Sequence, residues 1–162
     1  MRLLRHLLMP LWLLRLRYPQ SVLSQIEGRI AEFERIHAGE IRFVVEHALE
    51  PGDLLAGLSP RERALEIFGL LRVWDTEHNN GVLVYVLQAD HAVEIITDRG
   101  LARCVTQEEW EVVCRTAQTE FRAGRHAAGA LAAIEGTARL LARHFPPRSA
   151  GPNELPDQPL LL

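Results

Sequence analysis

The chain has 162 residues, 48% of them hydrophobic and 24% charged, with a formal net charge of −3 at pH 7. This length and composition predict one globular domain whose core needs neither a disulfide nor a structural metal. The acidic balance excludes a general nucleic-acid binder, which would carry a basic surface. Two cysteines, Cys104 and Cys114, do not make a disulfide framework, so we expect reduced thiols and a cytoplasmic location.

The first segment, residues 1–18, is a basic, leucine-rich arm. Residues 1–17 hold four arginines and no acidic residue, whereas the remainder carries 14 arginines against 21 acidic residues. Arginines and Pro10 interrupt the apolar run, which fits neither a signal peptide nor a membrane-spanning helix of about 20 apolar residues.

Two interpretations of this arm stay open. In the first, which we favour, its leucines pack onto the domain. In the second, the arm lies peripherally on an anionic membrane, at the inner face, with Trp12 at the interface. The leucines in question are Leu3, Leu4, Leu7, Leu8 and Leu11.

The next elements are a helix and a strand. Apolar residues recur at helical spacing after Pro19, which predicts a helix beginning there. Gly39 is expected to end it as a left-handed cap. Residues 41–49 are rich in β-branched and aromatic residues, which predicts a strand, and residues 50–58 are expected to form a loop.

Two capping boxes predict the starts of further helices. The first begins at Ser59 and its helix is expected to end around Trp74; the second begins at Thr106. Gly124 interrupts the second helix, and a last helix follows up to Pro146.

Residues 81–88, GVLVYVLQ, are apolar on both faces, as a central strand covered by helices should be. A short turn leads to a strand over 92–97, which requires an antiparallel hairpin. Because a helix joins strands 41–49 and 81–88, these two are predicted to be parallel. We therefore expect an α/β sandwich with a small mixed sheet over residues 19–145. Residues 146–162, with five of the nine prolines, are expected to be a disordered tail.

Side-chain oxygens are concentrated just before the central strand. Asp75, Glu77, Asn79 and Asn80 fall within six residues, with oxygen-bearing residues at alternate positions as in a calcium-binding loop. The pattern fails as an EF-hand, because the glycine comes one place late and Val86 stands where a bidentate glutamate should be.

The predicted topology adds two carboxylates to this loop. The strand over 41–49 begins at the same edge of the sheet as the parallel strand over 81–88, which places Glu40 there. The antiparallel strand over 92–97 ends at that edge, which places Asp98 there. Hard oxygen ligands suit Ca²⁺ or Mg²⁺, so one hypothesis is a metal site at this rim. The alternative is an ordinary polar rim in which these groups cap turns or pair with arginines. Sequence leaves both open.

A second candidate site lies at the carboxyl ends of the parallel strands, where open α/β sheets usually bind ligands. Its polar residues are Glu46, His47, Asp53, Gln88 and Asp90. No residue is predicted as a nucleophile, and Arg99 and His78 are the candidates near the first rim for a phosphate clamp and a base.

An ordered set of motifs resembles the TPM domain family. The run from Trp74 to Leu101 is WDTEHNNGVLVYVLQADHAVEIITDRGL, and FRAGRHAAGALAAI follows later. The matching positions are Asn80, Gly81, Val82 and Leu83 at the strand entry, Gly100 and Leu101 at the turn, and Phe121, Gly124, Gly129, Ala130 and Leu131 in the last element. The segments GEIRFVVE, SPRERA and WDTEHNNGVL resemble its small soluble bacterial branch.

The resemblance covers about residues 20–145 and implies a Rossmann-like α/β sandwich. Family members are linked to divalent-metal binding and, in plant thylakoid relatives, to acid phosphatase activity and photosystem repair. In family terms, Asn80 and the acidic residues before it are the expected functional positions. We therefore expect a metal-binding, non-catalytic accessory domain with a protein partner at the membrane. The alternative is a metal-dependent hydrolase resembling an acid phosphatase.

Overall fold

The computed structural model describes residues 2–147 and 153–162. Its elements in chain order are α1 (Arg2–Leu7), α2 (Leu11–Arg17), α3 (Gln20–Phe33), β1 (Glu40–Glu46), α4 (Pro51–Leu55), α5 (Pro60–Leu70), β2 (Gly81–Leu87), a 3-10 turn (Gln88–Asp90), β3 (Ala92–Thr97), α6 (Gln107–Arg122), α7 (His126–His144) and β4 (Leu160–Leu161).

The strands form one mixed sheet in the order β3-β2-β1-β4. β1 and β2 are parallel, with Glu40 opposite Gly81, and β2 and β3 are antiparallel, with Val82 opposite Thr97. The predicted parallel pair and hairpin are thus confirmed, as is the mixed α/β class.

Helices cover both faces of the sheet. All seven residues of β2 are buried, and neighbours along it belong to different cores. Val84 packs in the core that α3, α6 and α7 share, whereas Tyr85 packs in the core beneath α5. This explains why the sequence of β2 is apolar throughout rather than alternating.

Both capping boxes are present as predicted. The hydroxyl of Ser59 accepts from the Glu62 amide at 3.2 Å, and the Glu62 carboxylate accepts from the Ser59 amide at 2.8 Å. The same reciprocal pair starts α6 at Thr106. Gly124, with φ of 75°, separates α6 from α7. α5 ends at Leu70, earlier than predicted.

The prediction for Gly39 is wrong. α3 ends at Phe33, and Gly39 is not in the left-handed region. A Cβ at Gly39 would lie 2.8 Å from Leu141 Cδ1, so this glycine allows α7 to approach β1 closely. β1 also stops at Glu46 instead of residue 49, and residues 51–55 form α4 rather than an open loop.

The end of the chain differs from the disordered tail expected over 146–162. β4 pairs in parallel with β1, and the Leu162 amide donates to the Val45 carbonyl at 2.9 Å. Leu155 is buried in the core beneath α5. The physical reason is that β1 would otherwise be an edge strand with unpaired backbone groups. Residues 148–152 of the predicted tail lie outside the described residues.

The arm is packed, but not through the predicted leucines. His6 and Leu14 are buried, whereas Leu8 is 70% exposed. All five leucines named for packing have exposed side chains, at 40–70%. A short helix can press only one face against the domain, and the leucines occupy the other face.

Candidate functional site

The start of the two parallel strands and the end of β3 form one rim, as the predicted topology requires. The Glu40 amide donates to the Asn80 carbonyl at 3.2 Å, and the Asp98 amide donates to the Gly81 carbonyl at 2.9 Å. Glu40, Asn80 and Asp98 are therefore brought together by backbone pairing, although they are distant in sequence.

Asn80 is the buried centre of this rim, with 2% of its surface exposed. Its backbone amide donates to the hydroxyl of Thr76 at 3.1 Å, and its side-chain amide donates to the Ala38 carbonyl. Its other side-chain atom, Oδ1, has no hydrogen-bond partner among the residues that the structure describes.

Asp98 is buried beside it, with 6% of its surface exposed. Oδ1 accepts from the backbone amide of Arg99 at 2.6 Å. Oδ2 is buried and finds no partner within residues 2–147 and 153–162. The rim thus holds two hard oxygen acceptors that the described protein groups do not satisfy.

The loop residues before Asn80 are placed differently. Asp75 is exposed, with its carboxylate 3.9 Å from the Arg72 guanidinium. Glu77 is also exposed, and its amide donates to the Glu154 carboxylate at 2.9 Å. Asn79 adopts φ of 52°, and its carbonyl accepts from the Gly100 amide at 3.1 Å. In the described part of the chain, no three His, Cys, Asp or Glu side chains are grouped so that they could hold a metal ion.

Four carboxylates lie around the rim where the end of the chain returns: Glu34, Glu40, Glu154 and Asp157. Sequence reasoning missed this grouping. Glu40 Oε2 accepts from the amides of Glu154 and Leu155, each at 3.3 Å. Glu34 accepts from the Ile41 amide at 3.0 Å. No local signal could have found the grouping, because two of its members belong to the segment that was expected to be disordered.

Burial makes two of these carboxyl groups, Glu34 and Glu40, weaker acids. It raises the pKa of Glu34 to about 8, and the nearby Asp157 and Glu40 contribute to the rise. Burial also raises the pKa of Glu40, with a smaller contribution from Glu154. The rim therefore brings carboxyl groups together in a place where the charged forms of Glu34 and Glu40 are costly.

The opposite edge, at the carboxyl ends of β1 and β2, is filled by internal contacts. Glu46 receives two guanidinium hydrogen bonds from Arg63, at 2.8 and 3.0 Å, and one from the Tyr85 hydroxyl at 2.5 Å. Gln88 donates to the Tyr18 hydroxyl at 2.9 Å.

The arm and the end of the chain close this second candidate edge further. Asp90 pairs with Arg2 at 2.9 Å and with Arg5 at 3.2 Å. His47 Nδ1 lies 2.9 Å from the Leu162 carbonyl oxygen. The polar groups of this edge therefore hold terminal segments in place.

The two groups considered for a phosphate clamp and a base, Arg99 and His78, have exposed side chains. His78 is exposed, and the Arg99 guanidinium, 81% exposed, lies 3.9 Å from the Asp98 carboxylate. Burial raises the pKa of Cys114 to about 12, so this thiol stays protonated at neutral pH.

The TPM domain family matches residues 19–140. The NMR structure of BA42 from the psychrophilic bacterium Bizionia argentinensis is 28% identical, covers 87% of this chain and 92% of its own, and superposes with a TM-score of 0.76. The N-terminal domain of a P. gingivalis protein is 20% identical, covers 75% of this chain and 76% of its own with a TM-score of 0.59, and shows the fold alone. No curated protein matches the chain.

Proposed function

The chain belongs to the TPM domain family, and from that premise we propose that it is a divalent-cation-binding, non-catalytic accessory domain. The ion, Ca²⁺ or Mg²⁺, would be held at the rim by Asn80 and Asp98. One observation carries the proposal: Asn80 Oδ1 and Asp98 Oδ2 are buried, and neither has a hydrogen-bond partner among the described residues. A buried polar atom without a partner costs about 1–3 kcal/mol. Oxygen atoms of this kind are the ligands that Ca²⁺ and Mg²⁺ take.

The surrounding carboxylates support the same proposal. The Glu40 amide donates to the Asn80 carbonyl across the strand pair, and Glu34 lies close enough to Glu40 for that carboxylate to raise its pKa. A cation would favour the charged forms of both and lower their raised pKa values. The ion would supply charge neutralisation there, and it would tie together the 75–80 loop, the end of β3 and the returning end of the chain.

Two observations favour a non-catalytic role. The edge of the sheet where α/β proteins usually place ligands is filled by Arg63, Tyr18 and the arm. The candidate clamp and base, Arg99 and His78, are exposed side chains at the rim. A cation-stabilised rim is instead suited to presenting an ordered polar surface to a protein partner.

Isothermal titration calorimetry of the full chain with CaCl₂ and with MgCl₂ tests the proposal. We expect binding by the wild type and its loss in Asp98→Asn combined with Glu40→Gln. The matched variant is Asp75→Asn combined with Glu77→Gln, which changes two exposed carboxylates of the adjacent loop and should still bind. Loss of binding in the loop variant alone would place the ion in the loop, as the sequence pattern suggests. No binding by the wild type would overturn the proposal.

A phosphatase assay distinguishes this non-catalytic role from the alternative, a metal-dependent hydrolase. Phosphate release from a phosphomonoester that requires Mg²⁺ and disappears in Asp98→Asn would contradict the non-catalytic assignment and favour a metal-dependent hydrolase. We expect no turnover above the rate in buffer with Mg²⁺.

A further inference from the structure

The outward face of α1 and α2 is the largest concentration of exposed apolar side chains in the described ranges. Seven of the 13 exposed large hydrophobic residues there fall between residues 3 and 16. The seven, called the leucine face below, are Leu3, Leu4, Leu7, Leu8, Leu11, Trp12 and Leu16. Several are four residues apart, so they share one side of each helix.

This face is held outward by firm contacts on the inner side. His6 is 4% exposed and its Nδ1 accepts from the Leu49 amide at 2.9 Å, while Leu14 is 1% exposed. Arg17 donates to Gln88 at 3.2 Å. Because the helices are fixed by these contacts, the leucines cannot turn inward without breaking them. In monomeric proteins, a concentration of exposed apolar side chains in one segment commonly marks an interaction site.

The leucine face is bordered by basic residues. Arg5 and Arg15 have exposed side chains on the same two helices, and residues 1–17 contain no acidic residue. Arg5 also pairs with Asp90 at 3.2 Å.

The rest of the chain has the opposite net charge, because residues 18–162 carry 14 arginines against 21 acidic residues. β1 begins at Glu40 on the rim and ends at Glu46, three residues before Leu49, whose amide donates to His6 of the arm. Its seven residues separate the acidic rim from the arm by about 20 Å, at about 3.3 Å per residue. A negatively charged surface would therefore attract the arm and repel the rest of the chain, which favours an orientation with the arm towards that surface.

We propose that the leucine face docks onto the surface of a bilayer that contains anionic lipids. Leucine and tryptophan side chains bordered by arginine are the composition of helices that lie in the interface of such a membrane. Within the described residues no helix is long and apolar enough to cross a bilayer. A second copy of the chain is the weaker occupant, because it would bring an equally basic surface against this one.

Vesicle sedimentation with the full chain tests the proposal. We expect binding to vesicles of phosphatidylcholine mixed with phosphatidylglycerol, weaker binding to phosphatidylcholine alone, and release as salt rises. Leu8→Ser combined with Trp12→Ser should weaken binding roughly tenfold or more. Arg15→Gln should weaken binding to the mixed vesicles only.

The matched control is Leu65→Ser combined with Leu70→Ser. These residues are 51% and 72% exposed, both on α5 and outside the leucine face. The control should bind like the wild type, and the melting temperatures of both double variants should stay near that of the wild type. Equal loss in both variants, or no binding of the wild type to mixed vesicles, would overturn the proposal. Dimerisation that depends on Trp12, without vesicle binding, would assign the face to a second copy instead and would also overturn it.

Discussion

His6 Nε2 lies 3.1 Å from Asp90 Oδ1 and connects α1 to the turn between β2 and β3. Arg2 and Arg5 reach the same carboxylate. Burial alone would raise the pKa of Asp90, but the hydrogen bonds from Arg2 and His6 outweigh it and hold the pKa below its ordinary value. One carboxylate thus fixes the position of the arm, and with it the direction in which the leucine face points.

We predict that Asp90→Asn lowers the free energy of unfolding by roughly 2 kcal/mol, because it removes a charged acceptor from three donors. Chemical denaturation measures the change. Asp75→Asn is the control, since its carboxylate is exposed and 3.9 Å from its nearest arginine. It should change stability by less than about 0.5 kcal/mol. Equal effects of the two substitutions would contradict the role assigned to Asp90.

Close contact with a neighbouring carbonyl group requires glycine at position 81, at the start of β2, and this requirement can be tested. A Cβ at Gly81 would collide with the Val73 carbonyl oxygen. We expect Gly81→Ala to lower stability by at least about 2 kcal/mol. A Cβ at Gly69, inside α5, would meet no described atom within 4 Å. Gly69→Ala should therefore raise stability by about 0.5–1 kcal/mol, and thermal melts of both variants give the comparison.

The raised pKa of Glu34 predicts that the folded chain loses stability as pH rises. Its pKa is raised to about 8 in the folded chain by burial, whereas an unfolded glutamate titrates near pH 4.3. The folded state therefore holds the extra proton across this window, and stability falls as pH rises through it.

A buried histidine opposes this effect at lower pH. Burial lowers the pKa of His37 to about 4, so stability is lost as pH falls below about 6.5. Between about pH 6.5 and 8, Glu34 still lowers stability as pH rises, whereas His37 no longer changes it. Denaturation in that range, with a chelator present, should show a decline in the wild type and a flatter profile in Glu34→Gln. Identical slopes would show that Glu34 is not the titrating group.

The end of the chain should protect the edge of β1. The Leu162 amide donates to the Val45 carbonyl, and the His47 amide donates to the Leu162 carbonyl, both at 2.9 Å. Hydrogen exchange at these two amides should be slow compared with that of exposed loop amides. Fast exchange at both would mean that β4 does not pair in solution.

The side chain of Leu155 provides a second test of how the end of the chain packs on the domain. It is 6% exposed in the core beneath α5, so Leu155→Ala should cost about 2–4 kcal/mol of unfolding free energy. Leu70→Ala, at a side chain that is 72% exposed, should cost less than about 0.5 kcal/mol. Similar costs would contradict the packing of this segment.

Local chemistry determined much of the fold directly from sequence. The capping boxes at Ser59 and Thr106 start their helices where predicted, because each pairs groups only three residues apart. β3 was predicted with its observed bounds, and the parallel pairing of β1 with β2 followed from the helix between them. The convergence of Glu40, Asn80 and Asp98 then followed from topology.

Other features depended on partners far away along the chain, and only the tertiary structure decided them. The sequence showed that the arm is basic and rich in leucine, but the contact of His6 with Asp90 decided that Leu8 and Trp12 point outward. The proline-rich end gave no sign that it would pair with β1. Asp75 and Asp98 are both acidic residues in loops beside the strands. Sequence could not tell that Asp98 would be buried with one oxygen that no described residue satisfies, while Asp75 stays exposed. Burial and hydrogen-bond satisfaction depend on which segments meet in three dimensions, whereas helix starts and strand patterns depend on residues a few positions apart.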